Sequence, residues 1–138
     1  MNSICHLPKI FEDDDKLFKK EIARFREGKV SSAEFRAFRV PMGVYEQREN
    51  DTYMLRVRCP AGGVLPQHMR VLANIARNFG NDLLHVTTRQ DIQIHRVLLD
   101  NIPQAFAELY ASGLSTRGGG GNTVRNVTAC EDAGVCAR

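Results

Sequence analysis

The chain has 138 residues, 43% hydrophobic and 25% charged, with a formal net charge of +3. That length supports one core of ordinary size, and the composition excludes disordered, collagen-like and membrane-embedded classes. No apolar run approaches the ~20 residues that span a bilayer. The first residues, M-N-S-I-C-H-L-P-K, lack the apolar core of a secretion signal. A cytoplasmic protein without a membrane partner is the default expectation.

Residues 1–14 read as a poorly ordered lead, with His6 beside Cys5 as part of an untidy terminus. From about Asp15 to Glu27, Leu17, Phe18, Ile22 and Phe25 recur at helical spacing, and Gly28 is suited to stop the helix. Ser31 or Ser32 caps a shorter helix with Glu34 in its first turn, and Phe35, Phe38 and Val40 are expected to dock on the body. Pro41 and Gly43 end this preamble.

Tyr53, Leu55 and Val57 alternate with Met54, Arg56 and Arg58, which predicts a strand over 52–59. A turn at 60–63 leads to a helix begun by Pro66, with Leu65, Leu72, Ile75, Ala76 and Phe79 as its apolar stripe. Gly80 to Asp82 stop it. Two strands follow, 83–87 and 91–97, joined tightly by 88–90. Asn101 caps a second helix with Pro103 near its start and Gly113 at its end. After the glycine run, 123–129 is predicted as a fourth strand. The order strand, helix, strand, strand, helix, strand is the split βαβ arrangement. It predicts an α+β, ferredoxin-like (βαββαβ) antiparallel sheet, helices on one face, behind an N-terminal helical segment.

The chemistry collects in T-T-R-Q-D-I-Q-I-H, Thr87 to His95. Side chains alternate across a strand, so Ile92 and Ile94 share one face while Gln93 and His95 share the other. If Leu55, Val57, Ile92 and Ile94 face the helices, then Arg56, Arg58, Gln93 and His95 face the open side. Arginine and amide donors clustered there suit a large, planar, acidic ligand or a second protein layer better than plain solvation. His68 and His85 have no partners at metal-ligand spacing and read as structural. Arg56 reads as an ion-pair partner outside the site. The Gly118–Gly121 run reads either as an anion-binding nest or as a flexible loop. Cys5, Cys59, Cys130 and Cys136 match neither a disulfide framework nor a zinc signature, so free thiols are expected.

These stretches resemble a known family. T-T-R-Q-D-I-Q-I-H, with R-V-R-C-P-A-G-G-V before it and N-T-V-R-N-V-T-A-C after it, is similar to the N-terminal half of the sirohaem-dependent sulfite and nitrite reductases. E-G-K-V-S-S-A-E-F-R-A-F-R-V-P-M-G-V-Y-E-Q-R resembles the segment leading into that half. The resemblance implies a six-electron reduction of sulfite to sulfide or nitrite to ammonia at a sirohaem coupled to a 4Fe-4S cluster. Arg58 and Arg125 match residues that bind the substrate anion. Thr87, Thr88, Arg89, Gln90, Gln93, His95 and Asn126 match residues at the macrocycle and its carboxylates.

The resemblance divides the chain into a helical lead (1–43), a half domain (44–129) and the start of the sirohaem and iron–sulfur domain (130–138). The family's cluster cysteines lie far along its second half, so Cys130 and Cys136 are expected not to be ligands. The expectation is an N-terminal portion of a longer reductase, inactive alone and retaining no cofactor. Its partners would be the missing C-terminal half, a small oxyanion and an electron donor such as ferredoxin or a flavoprotein. As a fragment with an uncovered mating surface it could form a homodimer. The alternatives are a cofactor-free interaction or regulatory domain, and an RNA-binding module. The RNA reading suffers because the predicted open face offers no aromatic for base stacking.

Overall fold

The computed structural model describes residues 7–136; Cys5 and His6 lie outside the described residues. Asp14 and Asp15 put negative charge on the first turn of α1 (Asp14–Arg26), and Arg24 and Arg26 lie in its last turn. The helix dipole favours both placements. Gly28, at φ 71, ends the helix. Its N–H donates to Phe25 O and the Lys29 N–H to Arg24 O, a closure that needs a left-handed residue. The lead is shorter than expected, because a 3-10 turn covers Lys9–Phe11. Asp14 is itself buried, with Arg117 donating to both carboxylate oxygens. Leu17, expected on the apolar stripe, instead faces solvent, while Phe18 and Ile22 are buried.

The predicted cap holds α2 (Ser32–Arg39). Ser31 Oγ accepts from the Glu34 N–H at 3.3 Å, and Glu34 accepts from the Ser31 N–H at 2.8 Å. Phe35 and Phe38 then join Phe18, whose ring also meets Phe106 edge-on at 5.1 Å. This aromatic knot fastens the helical lead to the main body, each such contact adding to the area it removes from water.

Four strands make one antiparallel sheet: β1 (Val44–Glu46), β2 (Thr52–Val57), β3 (Leu84–Val86) and β4 (Ile92–Leu98), in the order β1-β2-β4-β3. Register decides which side chains share a face. Val44, Leu55, Ile94 and Leu84 lie opposite one another in a row across the sheet. On the other side Arg56, Gln93 and His85 form the neighbouring row. α3 (Pro66–Phe79) and α4 (Ile102–Ala111) cover the aliphatic face. Leu72, Ile75, Ala76, Ile102, Ala105 and Leu109 are all within 2% of complete burial there. The fold is therefore the expected α+β, ferredoxin-like sheet with helices on one face and a helical segment ahead of it.

One element differs. Residues 123–129 join no strand; the place beside β2 belongs to β1, which precedes β2 in the chain. β1 reaches that edge through a five-residue connection, 47–51, in which Asp51 takes φ 58. A short hairpin closes at less entropic cost than a strand returning from a distant loop. Val124 and Val127, three apart, also cannot share a strand face. Both remain exposed, at 81% and 71%.

β4 carries a bulge. Tyr53 pairs with Val97 and Leu55 with Ile94, so His95 and Arg96 together face Met54. Arg96 takes φ 60. The Gln47 side chain satisfies the irregular backbone: its oxygen accepts from the Arg96 N–H at 2.7 Å and its nitrogen meets His95 Nδ1 at 2.9 Å. Such a bulge bends the strand and turns its side chains. Among the described residues no helix is long and apolar enough to cross a membrane.

Candidate functional site

The uncovered face of the sheet is lined by donors. β2 supplies Arg56 and the β4 register sets Gln93 beside it. With its amide oxygen turned inward, Gln93 accepts from Arg56 Nε at 3.3 Å and Nη2 at 3.0 Å. The turn between β3 and β4 supplies Thr87, Thr88 and Arg89, and the segment after the glycine run supplies Arg125 and Asn126. These residues, with His85, Asp91, Gly118 and Gly119, line a groove of about 320 Å³. Among the described residues no carboxylate pairs with Arg56, Arg58, Arg89 or Arg125, whereas Arg26, Arg39, Arg96 and Arg117 elsewhere are all paired. Asp91 is the one acid at the groove, and its Oδ1 accepts from the Cys59 N–H at 3.1 Å. Positive charge left uncompensated in a concave, partly dry site draws anions.

The predicted site residues divide into two groups. Arg89, Arg125, Gln93, Thr87, Thr88 and Asn126 meet at the groove. Arg58 serves the loop instead: its Nη1 donates to Gly118 O at 2.7 Å and Val124 O at 3.0 Å, and its buried Nε has no partner among the described residues. Gln90 spends its amide on the main chain, donating to Ala129 O at 2.8 Å and accepting from the Ala129 N–H at 3.0 Å. His95 is on the same face, stacked on His85 with ring centroids 6.0 Å apart, and its Nδ1 is occupied by Gln47. Burial first, and the neighbouring His85 second, hold the His95 pKa below its ordinary value near 6.5.

Two groove residues and one neighbour on the open face escape a reading by spacing. Arg56, set aside as an ion-pair partner, is a groove residue with no acid beside it. His85, read as structural, is exposed and lines the same groove. Tyr45, on β1, adds an aromatic to the open face, but the Arg56 guanidinium covers its ring at 5.0 Å. The covered ring is no free platform for a base. The missed signal was the Asn50-Asp51 turn, which marks the β1–β2 hairpin.

The glycine run is packed rather than nest-like. The Gly118 N–H donates to Pro41 O and the Gly119 N–H to Thr116 O. A Cβ on Gly119 would come within 2.7 Å of Arg56 O. Cys59 is fully buried, and burial pushes its thiol up to about 11, so it is neither an anionic ligand nor a nucleophile at neutral pH. Cys130 and Cys136 are exposed and unbridged. A larger hollow of about 780 Å³ lies between α2 and β1, bounded by Ala33, Arg36, Ala37, Tyr45, Arg48 and Asn122. It too is lined by donors, Arg36, Arg39, Arg48, Gln47 and Asn122, but the Glu46 carboxylate stands among them and pairs with Arg39 at 2.7 Å.

Fold and face together define the class: a ferredoxin-like half domain with a donor-lined, uncovered sheet side. Residues 45–112 match the family described as the nitrite/sulfite reductase ferredoxin-like half domain. The chain belongs to the nitrite/sulfite reductase family. It is 36% identical over 104 residues to an assimilatory ferredoxin-dependent nitrite reductase of Haloferax mediterranei, covering 67% of this chain and 18% of that protein. It is 36% identical over 75 residues to a sulfite reductase [NADPH] hemoprotein beta-component of Bacillus licheniformis, covering 54% of this chain and 13% of that protein. Among solved structures, the Mycobacterium tuberculosis NirA protein superposes with a TM-score of 0.69 at 28% identity, over 76% of this chain and 22% of that one. The chain thus spans less than a fifth of the length of these curated relatives.

Proposed function

We propose that this chain forms one wall of the cofactor and substrate site of a sirohaem- and 4Fe-4S-dependent nitrite/sulfite reductase, with residues 44–129 as the half domain. The observation that carries the reading is the convergence of Arg56, Arg89 and Arg125 on one groove with no carboxylate partner among the described residues. When bound, sirohaem coupled to a four-iron cluster would relay the donor's electrons for reducing sulfite to sulfide or nitrite to ammonia.

The residues fit such a group in part. Guanidinium groups match the carboxylates of the macrocycle bidentately and stay charged at any working pH. The groove is an edge, not an envelope, so the rest of the macrocycle would meet another part of the protein. The described residues offer no set of three or more metal-ligating side chains, and no cluster ligand is assigned to them. Arg89, Gln93 and Thr88 would hold carboxylates. Arg125 and Arg56 would hold the oxyanion and offset its charge as electrons and protons arrive. Arg58 keeps the 118–124 loop in place behind them. An electron donor such as ferredoxin is consistent with the names of several relatives.

The test is a titration of the chain with uroporphyrin, a macrocycle bearing eight carboxylates, followed by fluorescence. Arg89→Ala should weaken binding about tenfold, the worth of one charge-assisted contact. In the complete reductase the same change should lower sirohaem absorbance per protein. Unchanged affinity and unchanged absorbance would remove Arg89 from the site.

A further inference from the structure

The segment after the glycine run is held by side chains from the turn between β3 and β4. The carboxamide of Gln90 faces the main chain of Ala129 and makes both bonds of a strand pair, at 2.8 and 3.0 Å. Three residues earlier, Asn126 is 3% exposed and its Nδ2 donates to Cys59 O and to Arg89 O, both at 2.9 Å. Arg89 answers by donating to Asn126 O at 2.8 Å. The Ala61 N–H donates to Val127 O at 2.9 Å. Residues 126–129 are thus laced to the turn without belonging to the sheet.

Gln90 is built for this task. It takes φ 62, which bends the backbone so that the side chain runs away from the groove and toward Ala129. Gly62, at φ +69, lies beneath it, and a Cβ there would come within 3.0 Å of the Gln90 amide carbon. The amide oxygen and one amide N–H are committed to the Ala129 main chain, and Gln90 is not among the residues that line the groove. Arg125, one residue before the laced stretch, is exposed and unpaired among the described residues at the rim of the groove. An exposed arginine on a free loop would spread over many rotamers and backbone states, and the lacing removes the backbone part of that freedom.

We propose that Gln90 is a positioning residue rather than a cofactor contact: its amide clasps Ala129 and so holds Arg125 at the groove beside Arg89. The ligand half of this inference rests on the proposed function; the clasp itself does not. Gln90→Asn is the informative variant. Asparagine accepts a left-handed φ, so the turn survives, but its side chain is one methylene too short for either bond.

In the 138-residue chain, the Ala129 amide should exchange about tenfold faster in Gln90→Asn than in the parent, with the far-ultraviolet spectrum unchanged. Gln90→Asn and Arg125→Ala should each weaken uroporphyrin binding by about tenfold, and the double variant should be no weaker than Arg125→Ala alone. Additive losses in the double variant would overturn the proposal, because Gln90 would then touch the ligand itself. Unchanged Ala129 exchange would overturn it as well. If the parent chain binds no porphyrin, the proposed function fails separately. The Arg125 Nε–H resonance then decides: a shift in Gln90→Asn sustains the positioning role, and an unmoved resonance ends it.

Discussion

His95 illustrates how a single side chain couples the sheet to solution conditions. Its Nδ1 faces the Gln47 amide nitrogen, a donor, so the neutral ring fits and the protonated ring does not. Burial and His85 lower its pKa from 6.5, the folded value lying below the unfolded one. The unfolded chain therefore binds the proton more readily. The contribution to stability is full above about pH 6.5 and is lost as pH falls through the window beneath it. Denaturant titrations at pH 7.5 and 5.5 should show the parent losing stability and His95→Gln losing less. Equal slopes for the two proteins would assign the acid sensitivity to another group. At this scale the motif pointed to His95, while its partner Gln47, distant by 48 positions, became visible only through the bulge.

Gly43 matters at the scale of elements, because it turns the chain from α2 into β1. It sits at φ +77, and a Cβ there would lie 2.4 Å from Thr116 O and 3.0 Å from Arg56 O. Gly43→Ala combines a left-handed penalty with an overlap between main chains, neither of which a rotamer change relieves. The expected destabilisation is at least about 2 kcal/mol, measured as a lowered denaturation midpoint. A midpoint within error of the parent would mean that the 115–119 loop shifts freely, contrary to its packing. The same junction explains what could be read in advance. α1, α2, α3, α4, β2, β3 and β4 follow from local periodicity, caps and glycine stops. β1 and the unpaired 123–129 segment do not, because V-Y-E follows directly on the Pro41–Gly43 turn with no alternation of its own and the glycine run gives no register.

At the scale of the whole molecule, Arg26, Arg39, Arg96 and Arg117 have carboxylate partners, while Arg56, Arg89 and Arg125 at the groove have none among the described residues. Binding of polyanions should therefore weaken with salt: raising sodium chloride from 0.05 to 0.5 M (proposed conditions, about a threefold fall in Debye length) should reduce uroporphyrin affinity steeply. A flat salt response would point to apolar stacking as the main attraction. Apolar side chains are exposed as well: Leu83, Val86, Val124 and Val127 are 58%, 67%, 81% and 71% exposed, and β3 is an edge strand. Self-association is expected, seen as an average mass that rises with concentration in light scattering. A constant monomer mass over a broad concentration range would sink that expectation.

What the amino-acid order determined by itself is the family-like motif, the class of fold and the division of each strand into an apolar and a donor face. Those depend on near neighbours: alternation along a strand, 3.6-residue spacing along a helix, a capping serine, a glycine stop. Tertiary structure alone decided which donors meet. Arg58, alternating in phase with Arg56, fastens the 118–124 loop while Arg56 lines the groove. Gln90, one step from Arg89 in the motif, turns its amide to Ala129 while Arg89 stays at the groove. Such assignments follow from partners dozens of residues away, whose distances no local spacing encodes.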